Sequence, residues 1–243
     1  MSFGITAILA RVPLVPALLV LTGSALFVRS AQADSDIRST FEQDLKALPA
    51  DVAENLRTLV TKLAEHEVPV SVLETKLREG LAKNIPPQQI GMVLSRITDN
   101  SIWIHEQISA CAFAKLPEAR VQILSVGNDA LLGALNQDDF LSAIKTVCSS
   151  DDGAGRIAQA FELFSYVTNR LRASKNVSWP LALALLSRNE SKAATNQLVL
   201  TLQDVFKARG NVESALNYAT SRLIAGASLR AAVNEIKEQF LRQ

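Results

Sequence analysis

Few residues in this chain are of a type able to do covalent, acid–base or metal chemistry: two cysteines, two histidines and some carboxylates near helix breaks. Cys111 and Cys148 form an even pair without a Cys-x-x-Cys, so a thioredoxin-like exchange centre has no support. In an oxidising compartment the pair is a disulfide candidate closing a loop of about 40 residues, worth about 4 kcal/mol in the chain-entropy picture. The alternative is two separate buried thiols. His66, within Glu65-His66-Glu67, offers ligand atoms, but no His-x-x-x-His and no Cys and His cluster completes a metal set. It reads as an exposed residue at a helix end, and His105, behind Trp103 and Ile104, as a partly buried packing residue. Gly153-Ala154-Gly155 precedes a helical run as a phosphate loop would, yet no Gly-Lys-Ser or Gly-Lys-Thr follows and no strand pattern precedes. A Gly-x-Ser-x-Gly elbow is missing as well. Neither a metal nor a cofactor is expected.

Helices must position whatever these side chains do. Val52, Leu56, Leu59, Val60 and Leu63 make one apolar stripe; Ile90, Val93, Leu94, Ile97, Ile104 and Ile108 a second; Leu229, Val233, Ile236 and Phe240 a third. No run alternates with period two, and aromatic content is only 5%. The expected fold class is all-α, with antiparallel helical hairpins forming a bundle or short α-solenoid. Similar junctions recur: Glu65-His66-Glu67-Val68-Pro69, Ala82-Lys83-Asn84-Ile85-Pro86, Ser174-Lys175-Asn176-Val177-Ser178, Ala208-Arg209-Gly210-Asn211-Val212 and Ile224-Ala225-Gly226-Ala227-Ser228. Each reads as a helix stop with Gly or Asn in the left-handed position, an apolar residue packing back, and a new start at Ser or Pro; the Glu67 junction lacks the Gly or Asn. Ser71 with Glu74 offers a capping box in competition with Pro69. The Trp, Gly, Tyr and Ala signature of tetratricopeptide repeats is not present.

These signals place helices near 36–47, 51–66, 70–83, 87–114, 117–125, 129–135, 138–148, 154–174, 179–188, 191–209, 212–225 and 228–241. The 87–114 helix is long, with a bend candidate at Asp99-Asn100-Ser101. Small, polar residues over 149–155 are a candidate linker between an N-terminal helical portion, 34–148, and a C-terminal one, 156–243. One continuous core and two lobes remain equal alternatives.

Met1 to Ala33 reads as an export signal. It carries Arg11 and Arg29 but no acidic residue, an apolar run from Val12 to Val28 broken by Pro13, Pro16 and Gly23, and an Ala31-Gln32-Ala33 cleavage site. A retained membrane anchor is the alternative, at the short edge of what spans a bilayer. Cleavage after Ala33 makes the protein periplasmic or secreted, with a membrane association only if the leader stays. Of the 25 Lys plus Arg, two are the leader's arginines, so residues 34–243 carry 23 against 24 Asp plus Glu. Near-neutral charge without a basic stripe speaks against nucleic acid as partner.

Two segments carry resemblances. Val68-Pro69, Leu73, Lys76, Glu79-Gly80, Ala82-Lys83 and Ile85-Pro86, ending in Ile90 and Leu94, resemble a pattern in uncharacterised exported bacterial proteins with paired short helices, which implies a cell-envelope setting and no activity. Glu190-Ser191, preceded by Pro180 to Arg188, resembles the Glu-Ser of lytic transglycosylases, all-α envelope enzymes. There, one buried glutamic acid protonates a glycosidic oxygen. That family continues with Gly-Leu-Met-Gln, where this chain has Lys192 to Gln197. The leading expectation is a non-enzymatic exported helical protein, an interaction or scaffold module with an envelope protein partner. The alternatives are a periplasmic carrier of an apolar ligand and a transglycosylase-like hydrolase using Glu190.

Overall fold

The computed structural model describes residues 40–133, 135–188 and 190–241. The leader and the cleavage position after Ala33 lie outside them. Residues 1–47 and 48–243 are two units; of the first, the described part is a helix, α1, at residues 40–45 and the turn after it. The second contains α2 (Ala50–Glu65), α3 (Ser71–Ala82), α4 (Pro87–Ile108), α5 (Pro117–Gly133), α6 (Gln137–Val147), α7 (Gly153–Asn169), α8 (Lys175–Leu186), α9 (Lys192–Lys207), α10 (Val212–Ile224) and α11 (Leu229–Phe240), with a 3-10 turn at Ala112–Lys115. The protein is all-α, with no strand among the described residues.

Helices two places apart pack against each other along this unit. The even helices form one series, α2 on α4, α4 on α6, α6 on α8 and α8 on α10; the odd helices form another, α3 on α5, α5 on α7, α7 on α9 and α9 on α11. Pairs adjacent in sequence, among them α3 with α4, α7 with α8 and α10 with α11, join the two layers. Such stacking buries apolar faces that no single hairpin would cover alone. Its middle is a chain of rings: Trp103 of α4 meets Phe140 of α6 at 5.3 Å, Phe140 meets Phe161 of α7 at 5.3 Å, and Trp179 of α8 meets Phe161 at 6.1 Å and Phe164 at 5.6 Å. Both tryptophans thus serve packing. Aliphatic residues of α7 to α11, including Leu185, Leu198, Leu202 and Val205, form a core cluster of their own.

Four of the five recurrent junctions have one geometry; in the fifth, Asn176 lies inside α8 and Arg172 (φ 60°) is the left-handed residue before it. Val68 N–H donates to Leu63 O, Ile85 to Gly80, Gly210 to Val205 and Ala227 to Arg222, all at 2.9–3.0 Å, each bond reaching back five residues over a left-handed residue. Those left-handed residues are Glu67 (φ 56°), Asn84 (φ 53°), Arg209 (φ 56°) and Gly226 (φ 91°). Arg209 rather than Gly210 takes the strained position. Gly210 is needed one place later, where a Cβ would stand 2.9 Å from Val205 Cγ1 and 3.1 Å from its carbonyl oxygen. The next helices then start from Asn211 and Ser228, whose side chains accept from Ser214 N and Ala231 N. The Ser71 and Glu74 capping box does not form: Val70 precedes α3 without a side-chain cap, and Glu74 pairs with Arg78 at 2.8 Å.

Several expected boundaries differ. α4 ends at Ile108, not 114, and α7 at Asn169, not 174. Helices 117–125 and 129–135 are one helix, α5, because the apparent breakers between them have tertiary partners. Gly127 lies where a Cβ would meet Phe140 and Ile104 at 2.8 and 2.9 Å, and buried Asn128 donates to Ser101 Oγ and Leu124 O. α8 begins at Lys175, not at 179, and runs through Pro180. Losing one helical hydrogen bond there is tolerated with Trp179 packed between two phenylalanines. The stretch 149–155 is a turn into α7, and Gly153 sits so close to the Phe113 ring and Val147 O that a Cβ would be 2.6 Å from each.

Candidate functional site

Cys111 and Cys148 are joined in a disulfide. Cys111 opens the 3-10 turn after α4 and Cys148 ends α6, and Ala112 N–H donates to Cys148 O at 2.9 Å, so the bridge fastens two connections in the middle of the layered unit. No membrane-crossing helix occurs among the described residues, and neither does a group of three or more His, Cys, Asp or Glu arranged for a metal. His66 is exposed at the end of α2. His105 is half-buried on α4, its Nδ1 is buried without a partner, and burial, then the nearby Arg120 charge, pushes its pKa below the ordinary 6.5.

Glu190 and Ser191 occupy structural positions. Ser191 Oγ accepts from Ala194 N at 3.2 Å and caps α9. The Glu190 carboxylate accepts from Arg188 Nε and from the backbone N–H of Leu229 at the head of α11, both at 3.3 Å, while Arg188 also reaches Leu223 O at 2.8 Å. Glu190 thus joins the α8–α9 connection to the start of α11.

Cavities gather on the odd-numbered helices. An apolar cleft of about 190 Å³ lies between α3, α4 and α5, walled by Gly80, Ile85, Ile90, Val93 and Leu132. A second, polar cleft of about 520 Å³ adjoins it across Lys76, Glu79 and Leu132, and runs between α5 and α7 past Asp129, Ser165, Tyr166 and Asn169 to Arg170. Tyr166 is shared with a third, of about 180 Å³, between α7 and α9, where Gln159, Glu162, Lys192 and Asn196 stand. Shared residues link the three into a row, Lys76, Glu79 and Leu132 between the first and second and Tyr166 between the second and third, and this row is the groove.

Ion pairs set its first half. Lys76 Nζ lies 2.7 Å from Asp129 and 3.2 Å from Glu79, and Glu79 also pairs with Lys83. Burial lowers the Lys76 pKa, but the hydrogen bonds and charges of Asp129 and Glu79 outweigh it and the net shift is upward. Hydrogen bonds from Lys83 and then Lys76 hold the Glu79 carboxyl below the usual range. Both groups therefore keep their charges from mildly acidic to mildly alkaline solution. At the apolar end Ile85 and Val93, both in the cleft lining, are exposed, Val93 by 42%. Val93, expected in the buried stripe of α4, faces this cleft instead.

Compared with known protein families, curated proteins and solved structures, the chain gives no match. Asn169, Arg170, Tyr166 and Asn196 were not singled out from the sequence. Their spacing along α7 and α9 marks only a polar face, and which faces adjoin is decided by the pairing of helices far apart in the chain.

Proposed function

We propose that this protein is a non-enzymatic exported module that holds an envelope protein partner along the groove face of α3, α5, α7 and α9. The observation that carries this is the row of three clefts, linked by shared lining residues, beside α3, α5, α7 and α9 of a stacked helical unit. A stacked layer provides a long, rigid surface, and concave surfaces of that kind suit extended contact with a partner. Exposed Ile85 and Val93 in the apolar cleft are the apolar residues such an interface needs at its centre. The segment resembling exported bacterial proteins supports the same surface: Lys76, Glu79, Gly80, Ile85, Ile90 and Leu94, six of its residues, line the apolar cleft. The disulfide and the leader's pattern both suit an oxidising compartment outside the cytoplasm.

The other two expectations have less support. A carrier needs an enclosed apolar chamber; the apolar cleft is open, and most aliphatic residues of α8 and α9 are used in the core, while Leu200 and Phe206 are exposed on the surface of α9. A hydrolase needs Glu190 in a substrate cleft, and Glu190 lines none of the three clefts of the groove.

Cross-linking in intact cells followed by affinity purification tests the proposal. The unaltered chain and Ile224→Glu, a change at a 76% exposed position on α10 outside the groove, are expected to recover the same partner, and Val93→Glu to lose it. Equal recovery by all three would refute the groove assignment.

A further inference from the structure

Resting on that reading, we infer that the partner enters the groove as an extended, near-neutral peptide segment, anchored by one large aliphatic side chain in the apolar cleft and held along its backbone by Gln159, Asn169 and Asn196.

The chemistry of the lining selects this occupant. Three cations, Lys76, Arg170 and Lys192, and three carboxylates, Glu79, Asp129 and Glu162, stand along the groove. That balance offers no net attraction to a nucleic acid, an anionic membrane or a strongly charged peptide. Between the charges stand side-chain amides. Asn169 and Asn196 make no side-chain hydrogen bond to any described residue, and Gln159 uses only its carbonyl oxygen, accepting from Thr195 at 3.5 Å. Ser165 Oγ is buried beside them without a partner. A carboxamide presents two N–H donors and a carbonyl acceptor, the complement of a peptide unit. Asn169 and Asn196 are exposed, and a backbone whose own N–H and C=O are free complements such a lining most fully. A helix has used those groups internally, so a docked helix would leave the amides unanswered, whereas an extended strand of peptide answers them in sequence.

The anchor follows from the adjoining cleft. Its walls are aliphatic, and Gly80 is tight against Ile90, where a Cβ would lie 3.0 Å from Cγ1. That closes the floor and leaves the opening at Val93 and Ile85. Roughly one large aliphatic side chain fills a space of about 190 Å³.

Selection of random dodecapeptides displayed on phage, against the purified disulfide-bonded protein, tests the inference. Enriched sequences should share one Leu, Ile or Met at a fixed position with net charge near zero. In fluorescence polarisation with a selected peptide, Ala at that position and Val93→Glu in the protein should each weaken binding about tenfold. N-methylation of one backbone amide should weaken it about fivefold with the unaltered protein and hardly at all with Asn169→Ala or Asn196→Ala. Circular dichroism controls for folding of the variants, all of which alter groove-lining surface positions. Indifference to N-methylation at every position, tighter binding by helix-locked versions of the peptide, or no enrichment would each overturn the extended mode. If the cellular partner is still lost on Val93→Glu in those cases, the groove reading survives without it. If the partner is kept by Val93→Glu, both fall.

Discussion

At Glu190 and Ser191 each side chain has found a backbone amide at the head of a helix, Leu229 N for Glu190 and Ala194 N for Ser191. Donors at a helix start lack partners within the helix, so oxygens from neighbouring segments are drawn to them. The expected consequence is a stability effect. Glu190→Ala should cost about 1–2 kcal/mol in urea denaturation, and Glu190→Gln, which keeps an acceptor oxygen, less. Release of muropeptides from peptidoglycan by the unaltered protein but not by Glu190→Gln would contradict this assignment. His105 supplies a second test. Its folded pKa lies below the ordinary 6.5, so on acidification the unfolded chain takes up its proton first. The contribution of neutral His105 to stability is full above about pH 6.5 and is lost as the pH falls through that value towards the folded pKa. NMR titration should show a midpoint below 6.5; one above it would reverse the sign.

Glycines separate the element scale from the residue scale. Gly127 and Gly155 both stand within helices, but a Cβ at Gly127 would collide with Phe140 and Ile104, while none of the protein lies within 4 Å of one at Gly155. Gly127→Ala should therefore destabilise by about 1–3 kcal/mol despite its gain in helix propensity. Gly155→Ala should stabilise by up to about 1 kcal/mol. Thermal unfolding of the two variants compares them, and stabilisation by Gly127→Ala would deny the close packing of α5. Where helix ends were legible, their chemistry is local: Asn84 and Gly226 take the left-handed positions that their residue types favour, whereas Arg172, not Asn176, takes that position before α8. Gly127, Asn128 and Pro180 misled because each has the composition of a break and a partner remote in sequence that sustains the helix. Val93 misled in the opposite way. It keeps the spacing of the buried stripe, but the helix face it lies on is left open beside the apolar cleft.

For the molecule as a whole, the bridge between Cys111 and Cys148 closes a sequence separation of 37 residues. Opening it by replacing both cysteines with serine should cost about 4 kcal/mol, because the unfolded chain regains the freedom that the closed loop denies it. Urea denaturation with and without reductant measures the loss, and unchanged stability in reductant would show the cross-link to be dispensable. The groove was not legible in the sequence for a reason that belongs to this scale. Lys76, Asp129, Tyr166 and Asn196 become neighbours along it only once α3, α5, α7 and α9 lie in one layer. That layering also imposes a parity on the chain. Inserting or deleting a single helix would exchange odd for even in everything downstream, moving each later helix from the groove side to the opposite side. Two helices can be added or removed together without that inversion, so this architecture can lengthen or shorten only in pairs and still keep its binding surface whole.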